Sequence, residues 1–93
     1  MQAVSVSAHK SLALIDVPEP MPQRGEAVVK VAAISLNRGE TRRSLAGAEG
    51  FRPGWDIAGV IERAAADGTG PKVGERVVGL MPVGGWQEKV AIA

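Results

Sequence analysis

The stretch at residues 52–59 constrains the fold of this chain more than any other. It has the sequence Arg-Pro-Gly-Trp-Asp-Ile-Ala-Gly, so a turn dipeptide, Pro53-Gly54, leads directly into a strand of small residues. Because glycine weakens a strand interior, Gly59 indicates a bulge or the close approach of another backbone or a ligand. The turn would deliver Trp55 and Asp56 to one end of a sheet, a common position for a binding site. A core tryptophan beside a turn is the alternative interpretation.

Size and charge exclude several classes of protein. A chain of 93 residues forms one domain at most. Its net charge is +1, and it has two tryptophans, one phenylalanine and no tyrosine. It therefore lacks the basic stripe and the stacking platforms typical of nucleic-acid binding. With no cysteine and one histidine, His9, which we expect in an exposed turn, zinc would have to rely on carboxylates, which suit it poorly.

Short alternating runs separated by glycine and proline corners predict a mostly β domain resembling a barrel. The composition predicts a core of Val, Ile, Leu and Ala. The run at residues 27–33 is interrupted only by Lys30, which favours a strand buried on both faces for much of its length. The first two strands should form a hairpin. The predicted strands are residues 2–7, 12–17, 27–33 and 57–65, a strand after the Gly74 turn, and residues 86–92.

Residues 37–46 are the one good helix candidate. Asn37 is a preferred N-cap residue, and Glu40 follows at the spacing of a capping box. Gly47 is a plausible C-terminal stop. Glu40 and Arg43, three residues apart, would partly offset the repulsion among the helix arginines.

Three arginines on this short helix have two interpretations. They could form a solvated face, or they could await an anion such as a cofactor phosphate. The residues concerned are Arg38, Arg42 and Arg43.

Several motifs are missing. Gly68-Thr69-Gly70 begins like a dinucleotide fingerprint, but the third glycine falls one position late, at Gly74, and the stretch lies in a turn. A phosphate-binding loop, a signal peptide and a membrane-length apolar run are also absent from the sequence, which favours a cytoplasmic protein.

The order of the remaining motifs resembles the N-terminal catalytic domain of the medium-chain dehydrogenases/reductases, and within them the zinc-free quinone oxidoreductases. The resemblance covers nearly all of the chain. It is carried by Pro18-x-Pro20, Gly-Glu-Ala-Val-Val-Lys-Val at 25–31, Leu36-Asn37, Pro-Gly-Trp-Asp-Ile-Ala-Gly-Val-Ile at 53–61, Val-Gly-Glu-Arg-Val-Val-Gly at 73–79 and Gly-Gly-Trp-Gln-Glu-Lys-Val at 84–90.

The resemblance implies a GroES-like, partly open β-barrel at residues 1–93 that carries the substrate side of an active site. In the family a Rossmann domain follows and binds NADP(H) or NAD(H), and a returning segment completes the barrel. We therefore expect this chain to lack the nucleotide half and to have an unpaired sheet edge. We also expect it to be inactive alone, with no cofactor bound, and to belong to a homo-oligomeric enzyme in full-length form.

Departures from the zinc-dependent relatives imply a metal-free site. Those relatives have a cysteine at the position of Asn37 and a histidine at the position of Trp55, and neither replacement suits a tetrahedral zinc site. The zinc-free branch shares the asparagine. It often has a tyrosine at the position of Arg42, so the resemblance leaves the acceptor open.

The resemblance supplies the candidate site residues. Asn37 would contact the nicotinamide or the acceptor oxygen, so it is both a catalytic and a cofactor-binding candidate. Arg42 would be catalytic, supplying positive charge to a quinone or enone oxygen, or to a cofactor phosphate. Trp55 would wall the pocket and stack on a planar ring of the cofactor. Two other hypotheses remain: a stand-alone GroES-like binding module without catalysis, and a β-barrel nucleic-acid binder.

Overall fold

The computed structural model describes residues 1–9, 11–40, 42 and 48–93, which form six strands and one short helix. Residues 38–40 and 42 are helical. The predicted helix end at Gly47 lies outside the described residues. Within the described part of the chain, no helix is long and apolar enough to cross a bilayer. The strands are β1 (Gln2–Val6), β2 (Leu12–Asp16), β3 (Ala27–Ile34), β4 (Asp56–Arg63), β5 (Arg76–Leu80) and β6 (Lys89–Ile92).

All strand pairs are antiparallel. β1 and β2 form the predicted hairpin, and the other strands form a sheet in the order β5-β4-β3-β6. The hairpin is attached through the segment that precedes β6, where Val4 N–H donates to Trp86 O at 2.9 Å and Glu88 N–H donates to Gln2 O at 3.1 Å. The two sheets therefore continue into each other, as an open β-barrel requires.

Gly59 allows β3 and β4 to approach closely, as the sequence predicted. A Cβ atom there would collide with Lys30 O and would lie 2.9 Å from a methyl group of Val29. The pairing also shifts by one residue between Val31 and Ala33, opposite Gly59 and Ala58. This bulge bends the sheet, because an extra residue on one strand increases the local twist.

The sheet curls until its two ends touch. Gly79 of β5 and Ile92 of β6 belong to strands at opposite ends of the sheet order. A Cβ atom on Gly79 would nevertheless lie 2.8 Å from Cδ1 of Ile92. The described pairings include no backbone ladder between β5 and β6, so the Ile92 side chain meets the Gly79 backbone across the gap. The architecture is a partly open barrel with one short helix.

The core lacks one of the residue types that the composition predicted, because it contains none of the described leucines. Its central cluster consists of Ala27, Val29, Ile57, Ile61 and Val90. The described leucines are all exposed: Leu12, Leu14, Leu36 and Leu80.

The prediction that residues 27–33 are buried on both faces was wrong for the second half of the strand. Residues Ala27 to Val29 are buried, whereas most residues from Lys30 to Ile34 are exposed. The reason is register, since β6 pairs only with Ala27 to Lys30. Beyond Lys30 the strand has β4 as its one neighbour among the strands described, and an open cavity borders its face.

Four predicted strands are shorter than expected, and two of them differ by more than one residue at one end. The strand predicted at 86–92 begins only at Lys89, because residues 86–88 bond to the hairpin instead. The strand predicted at 57–65 begins one residue earlier and ends at Arg63. Ala65 is buried in the turn that follows, where its carbonyl accepts the Gly68 N–H at 3.0 Å.

Candidate functional site

The helix start, the Pro53-Gly54 turn and the first residue of β4 meet at one end of the sheet. Asn37 immediately precedes the helical residues, and its backbone N–H donates to Glu40 Oε1 at 2.9 Å. This contact is the reciprocal half of a capping box, so the predicted capping spacing is confirmed. Helix initiation therefore fixes the backbone of the first candidate residue.

The Asn37 carboxamide lies within a cluster of acceptors. Its Nδ2 donates to Glu40 Oε1 at 2.9 Å, with longer contacts to Ser35 Oγ at 3.3 Å and Asp56 Oδ2 at 3.4 Å. The Ser35 hydroxyl in turn donates to Asp56 Oδ1. We call Ser35, Asn37, Glu40 and Asp56 the polar cluster. Two carboxylates and a hydroxyl thus fix the orientation of one amide.

Glu40 connects the polar cluster to the tryptophan turn. Its side chain is 1% exposed, and Oε2 accepts the backbone N–H of Trp55 at 2.8 Å. Asn37 and Trp55, predicted separately as site residues, are therefore bound to opposite oxygens of the same carboxylate. The sequence indicated a capping and an ion-pair role for Glu40 but not its bond to Trp55, and Arg43, the proposed ion-pair partner, lies outside the described residues.

The indole of Trp55 packs against the helix. A Cβ atom on Gly39 would lie 2.6 Å from Cη2 of Trp55, so only glycine leaves room for the ring at that helix position. Trp55 is half-buried, and its carbonyl accepts the Met81 N–H at 2.8 Å. The residue therefore combines the two interpretations drawn from the sequence: one edge is packed, and part of the side chain remains accessible.

The turn that positions Trp55 depends on Gly54. This glycine has a φ of 110°, a conformation that side chains with a Cβ rarely adopt. A Cβ atom there would also collide with Trp86, at 2.6 Å from Cδ1. Trp86 is itself buried, so the core fixes the turn.

Arg42 is helical and exposed, and Arg38 on the same helix is also exposed. The third arginine of the prediction, Arg43, lies outside the described residues. The structure thus brings Asn37 and Trp55 together through Glu40, and it leaves Arg42 one turn further along at the surface.

A large cavity lies inside the open barrel, with a volume of about 1220 Å³. Its lining is mainly aliphatic and includes Val29, Ile57 and Ile61, and Ser35 and Asp56 are among its few polar residues. Asp56, which the sequence placed beside Trp55 at one end of the sheet, lines the cavity, whereas Asn37, Arg42 and Trp55 are not among its lining residues. Two members of the polar cluster, Ser35 and Asp56, therefore border this cavity, and Asp56 also contacts Asn37 Nδ2 at 3.4 Å.

Two ionisable groups elsewhere have shifted pKa values. The hydroxyl and N–H of Thr69 donate to Asp67 Oδ1 and lower the pKa of that carboxyl. A hydrogen bond to Glu62, with added attraction from Glu19, raises the pKa of Lys89. These contacts stabilise a turn and the surface of the barrel. Among the residues that the structure describes, no three His, Asp or Glu side chains are grouped so as to hold a metal ion.

Comparison with known proteins identifies the family. The model of the alcohol dehydrogenase GroES-like domain matches residues 23–92. A chloroplastic quinone oxidoreductase of Triphysaria versicolor is 35% identical over 74 residues, which cover 72% of this chain and 22% of that protein.

Solved structures with the same fold include two oxidoreductases. A probable oxidoreductase from Mycobacterium abscessus has a TM-score of 0.86 and 30% sequence identity. The match covers 100% of this chain and 32% of that protein. The quinone oxidoreductase from Thermus thermophilus, also solved with NADPH, has a TM-score of 0.79 and 32% sequence identity. The match covers 99% of this chain and 30% of that protein. The chain spans about a third of these proteins. It belongs to the alcohol dehydrogenase GroES-like domain family, in the branch that resembles the quinone oxidoreductases.

Proposed function

We propose that this chain is the acceptor side of an NAD(P)H-dependent, zinc-independent oxidoreductase that reduces a quinone, an enone or a similar carbonyl compound. In this proposal a Rossmann domain of the same protein binds the nucleotide. The quinone oxidoreductases among the relatives support the acceptor class, and the Thermus thermophilus complex supports NADPH as the reductant.

The observation that carries the proposal is that the Glu40 carboxylate binds both Asn37 and Trp55. Asn37 and Trp55 occupy the positions where zinc-dependent relatives are expected to have cysteine and histidine. A carboxamide and an indole make a poor zinc set. Both residues are bound to one buried carboxylate, through bonds of 2.9 and 2.8 Å. Hydrogen bonds within the protein thus order both residues, which supports a site that does not rely on zinc.

The same residues fit a nicotinamide and a planar acceptor. The bound nicotinamide would supply the hydride. Asn37, fixed by Glu40 and Asp56, would orient the reacting rings, and the accessible part of Trp55 would wall the site and exclude water. Arg42 would place positive charge near the acceptor oxygen as negative charge grows there, or near a cofactor phosphate.

An assay of the full-length enzyme that contains this chain tests the proposal. We expect oxidation of NADPH or NADH with benzoquinone or a simple enone, unchanged after treatment with a zinc chelator. Loss of activity on chelation would overturn the metal-free mechanism, and inactivity with every carbonyl acceptor would overturn the acceptor class.

Asn37→Ala and Asn37→Ser separate catalysis from helix capping. Serine is a preferred N-cap residue but lacks the carboxamide. We expect both variants to slow hydride transfer on the order of tenfold to a hundredfold, because misplaced reactants lose rate. If Asn37→Ser transfers hydride at the normal rate, Asn37 is only a cap.

The remaining features of the enzyme are also proposals. We propose a small-molecule substrate, a cytoplasmic location and a homo-oligomeric full-length protein. Native mass spectrometry of that protein would measure its subunit number. A heptameric ring of the chain alone would instead favour the stand-alone GroES-like module.

A further inference from the structure

Three N–H groups converge on the Glu40 carboxylate. Oε1 accepts from the Asn37 backbone N–H and from Asn37 Nδ2, both at 2.9 Å, and Oε2 accepts from the Trp55 backbone N–H at 2.8 Å. The side chain is 1% exposed, so water does not readily replace these bonds. Its oxygens therefore hold two chain segments, and the bond to Trp55 spans 15 residues of sequence.

The arrangement needs two acceptor oxygens. A glutamine at this position has one carbonyl oxygen, and its NH₂ group donates. If that oxygen faces Asn37, the NH₂ opposes the Trp55 N–H, and if it faces Trp55, the NH₂ opposes two N–H groups of Asn37. An isosteric amide can therefore satisfy one side of the junction only.

We infer that Glu40 is a positioning residue that sets Asn37 and Trp55 relative to each other, and that it acts on the reaction through Asn37. The inference of a role in the reaction rests on the proposed function. The helix start carries one of the two residues and the Pro53-Gly54 turn carries the other, and Glu40 bridges these elements.

Glu26 provides a matched control. Its Oε1 accepts the Gln23 backbone N–H at 2.9 Å, the same contact across three residues that Glu40 makes with Asn37, but in an exposed turn. Glu26→Gln thus removes a carboxylate of similar local geometry away from the polar cluster.

The bridging can be measured in the unmodified chain. In a ¹³C,¹⁵N-labelled sample, we expect through-hydrogen-bond couplings from the Trp55 amide nitrogen and from Asn37 to the same carboxyl carbon of Glu40. Absence of either coupling, with the Glu26 coupling to Gln23 visible, would overturn the bridge. This measurement stands even if Glu40→Gln fails to fold.

A double-mutant cycle in the full-length enzyme tests the effect on the reaction. We expect Glu40→Gln to lower kcat about tenfold with little change in the KM for the nucleotide, and Glu26→Gln to change neither. In the Asn37→Ser background, Glu40→Gln should cost little more, because residues that act through each other are not additive. A full additional tenfold loss in that background would show that Glu40 does not act through Asn37 and would overturn the inference.

The two experiments distinguish the inference from the proposed function. If the full-length enzyme reduces no carbonyl acceptor, the proposed function fails, and the role of Glu40 in the reaction fails with it. The couplings still decide whether the carboxylate bridges Asn37 and Trp55.

Discussion

Asn37 and Glu40 show how much the spacing of two residues reveals. Their spacing predicted a capping box, and the Asn37 backbone N–H donating to Glu40 Oε1 at 2.9 Å is the glutamate half of it. The bond from Trp55 to the same carboxylate could not be predicted in that way. It spans 15 residues and depends on the path of the Pro53-Gly54 turn, which depends in turn on packing against Trp86.

At the same scale, Thr69→Val should raise the pKa of Asp67 toward its ordinary value of 3.8. The hydroxyl bond to Asp67 Oδ1, at 2.6 Å, is the largest cause of the lowered pKa, and valine removes it while leaving the backbone bond. Titration of the Asp67 carboxyl by NMR measures the change. Thr69→Ser, which keeps the hydroxyl, is the control, and an unaltered Asp67 titration in Thr69→Val would contradict the assignment.

The lowered pKa also fixes the sign of a pH effect. A carboxyl with a depressed pKa in the folded state contributes stability above its unfolded pKa, and that contribution is lost as pH falls through the folded pKa. We therefore expect the part of stability that Thr69→Val removes through Asp67 to be full above about pH 4 and to disappear as the pH falls through the lowered pKa. Urea unfolding at several pH values would show it.

At the scale of the elements, β3 and β4 illustrate both the reach and the limit of sequence patterns. The glycine in a small-residue run correctly predicted a close approach at Gly59. The burial of β3 was mispredicted, because a hydrophobic run does not reveal how far the neighbouring strand extends. The register of β6, which stops opposite Lys30, decides which half of β3 is covered.

Gly59→Ala should destabilise the fold by about 3 kcal/mol. The added methyl would meet the Lys30 carbonyl oxygen, which cannot move aside as the end of a flexible side chain could, because it belongs to the backbone of the paired strand. Thermal or urea unfolding measures the loss.

Gly25→Ala is the matched control. Its Cβ would lie 3.4 Å from the end of the Asp67 side chain, an ordinary contact. We expect its stability to stay within about 0.5 kcal/mol of wild type. Equal destabilisation of the two variants would show that the loss is a general effect of replacing glycine.

For the whole molecule, the order of the motifs identified the fold where the physical patterns alone could not. Six short strands are compatible with many β architectures, and only the resemblance selected a GroES-like barrel. The large open interior was not predictable from composition. Val78 and Leu80 are exposed because β5 is the end strand of the sheet, and composition does not reveal which strand is at the end. The site was likewise predictable only from the resemblance, because the family supplied the roles that grouped Asn37 and Trp55 as one site.

The chain alone should bind NADPH more weakly than the micromolar range and should not turn over. Its described concave surfaces include an aliphatic cavity and a smaller pocket, whereas pyrophosphate needs the glycine-rich turn and helix start of a Rossmann unit. Isothermal titration with NADPH measures this. Micromolar affinity for this chain would contradict the assignment of nucleotide binding to a separate domain.

The β2 strand has a practical consequence for anyone who handles the protein. It has β1 as its one neighbour among the strands described, and Leu12, Leu14 and Ile15 are 52%, 67% and 38% exposed. An unpaired strand edge with exposed hydrophobic side chains is a template for the pairing of further strands. Light scattering should therefore show particles that grow with concentration, and a lysine in place of Leu14 should suppress that growth while the fold persists.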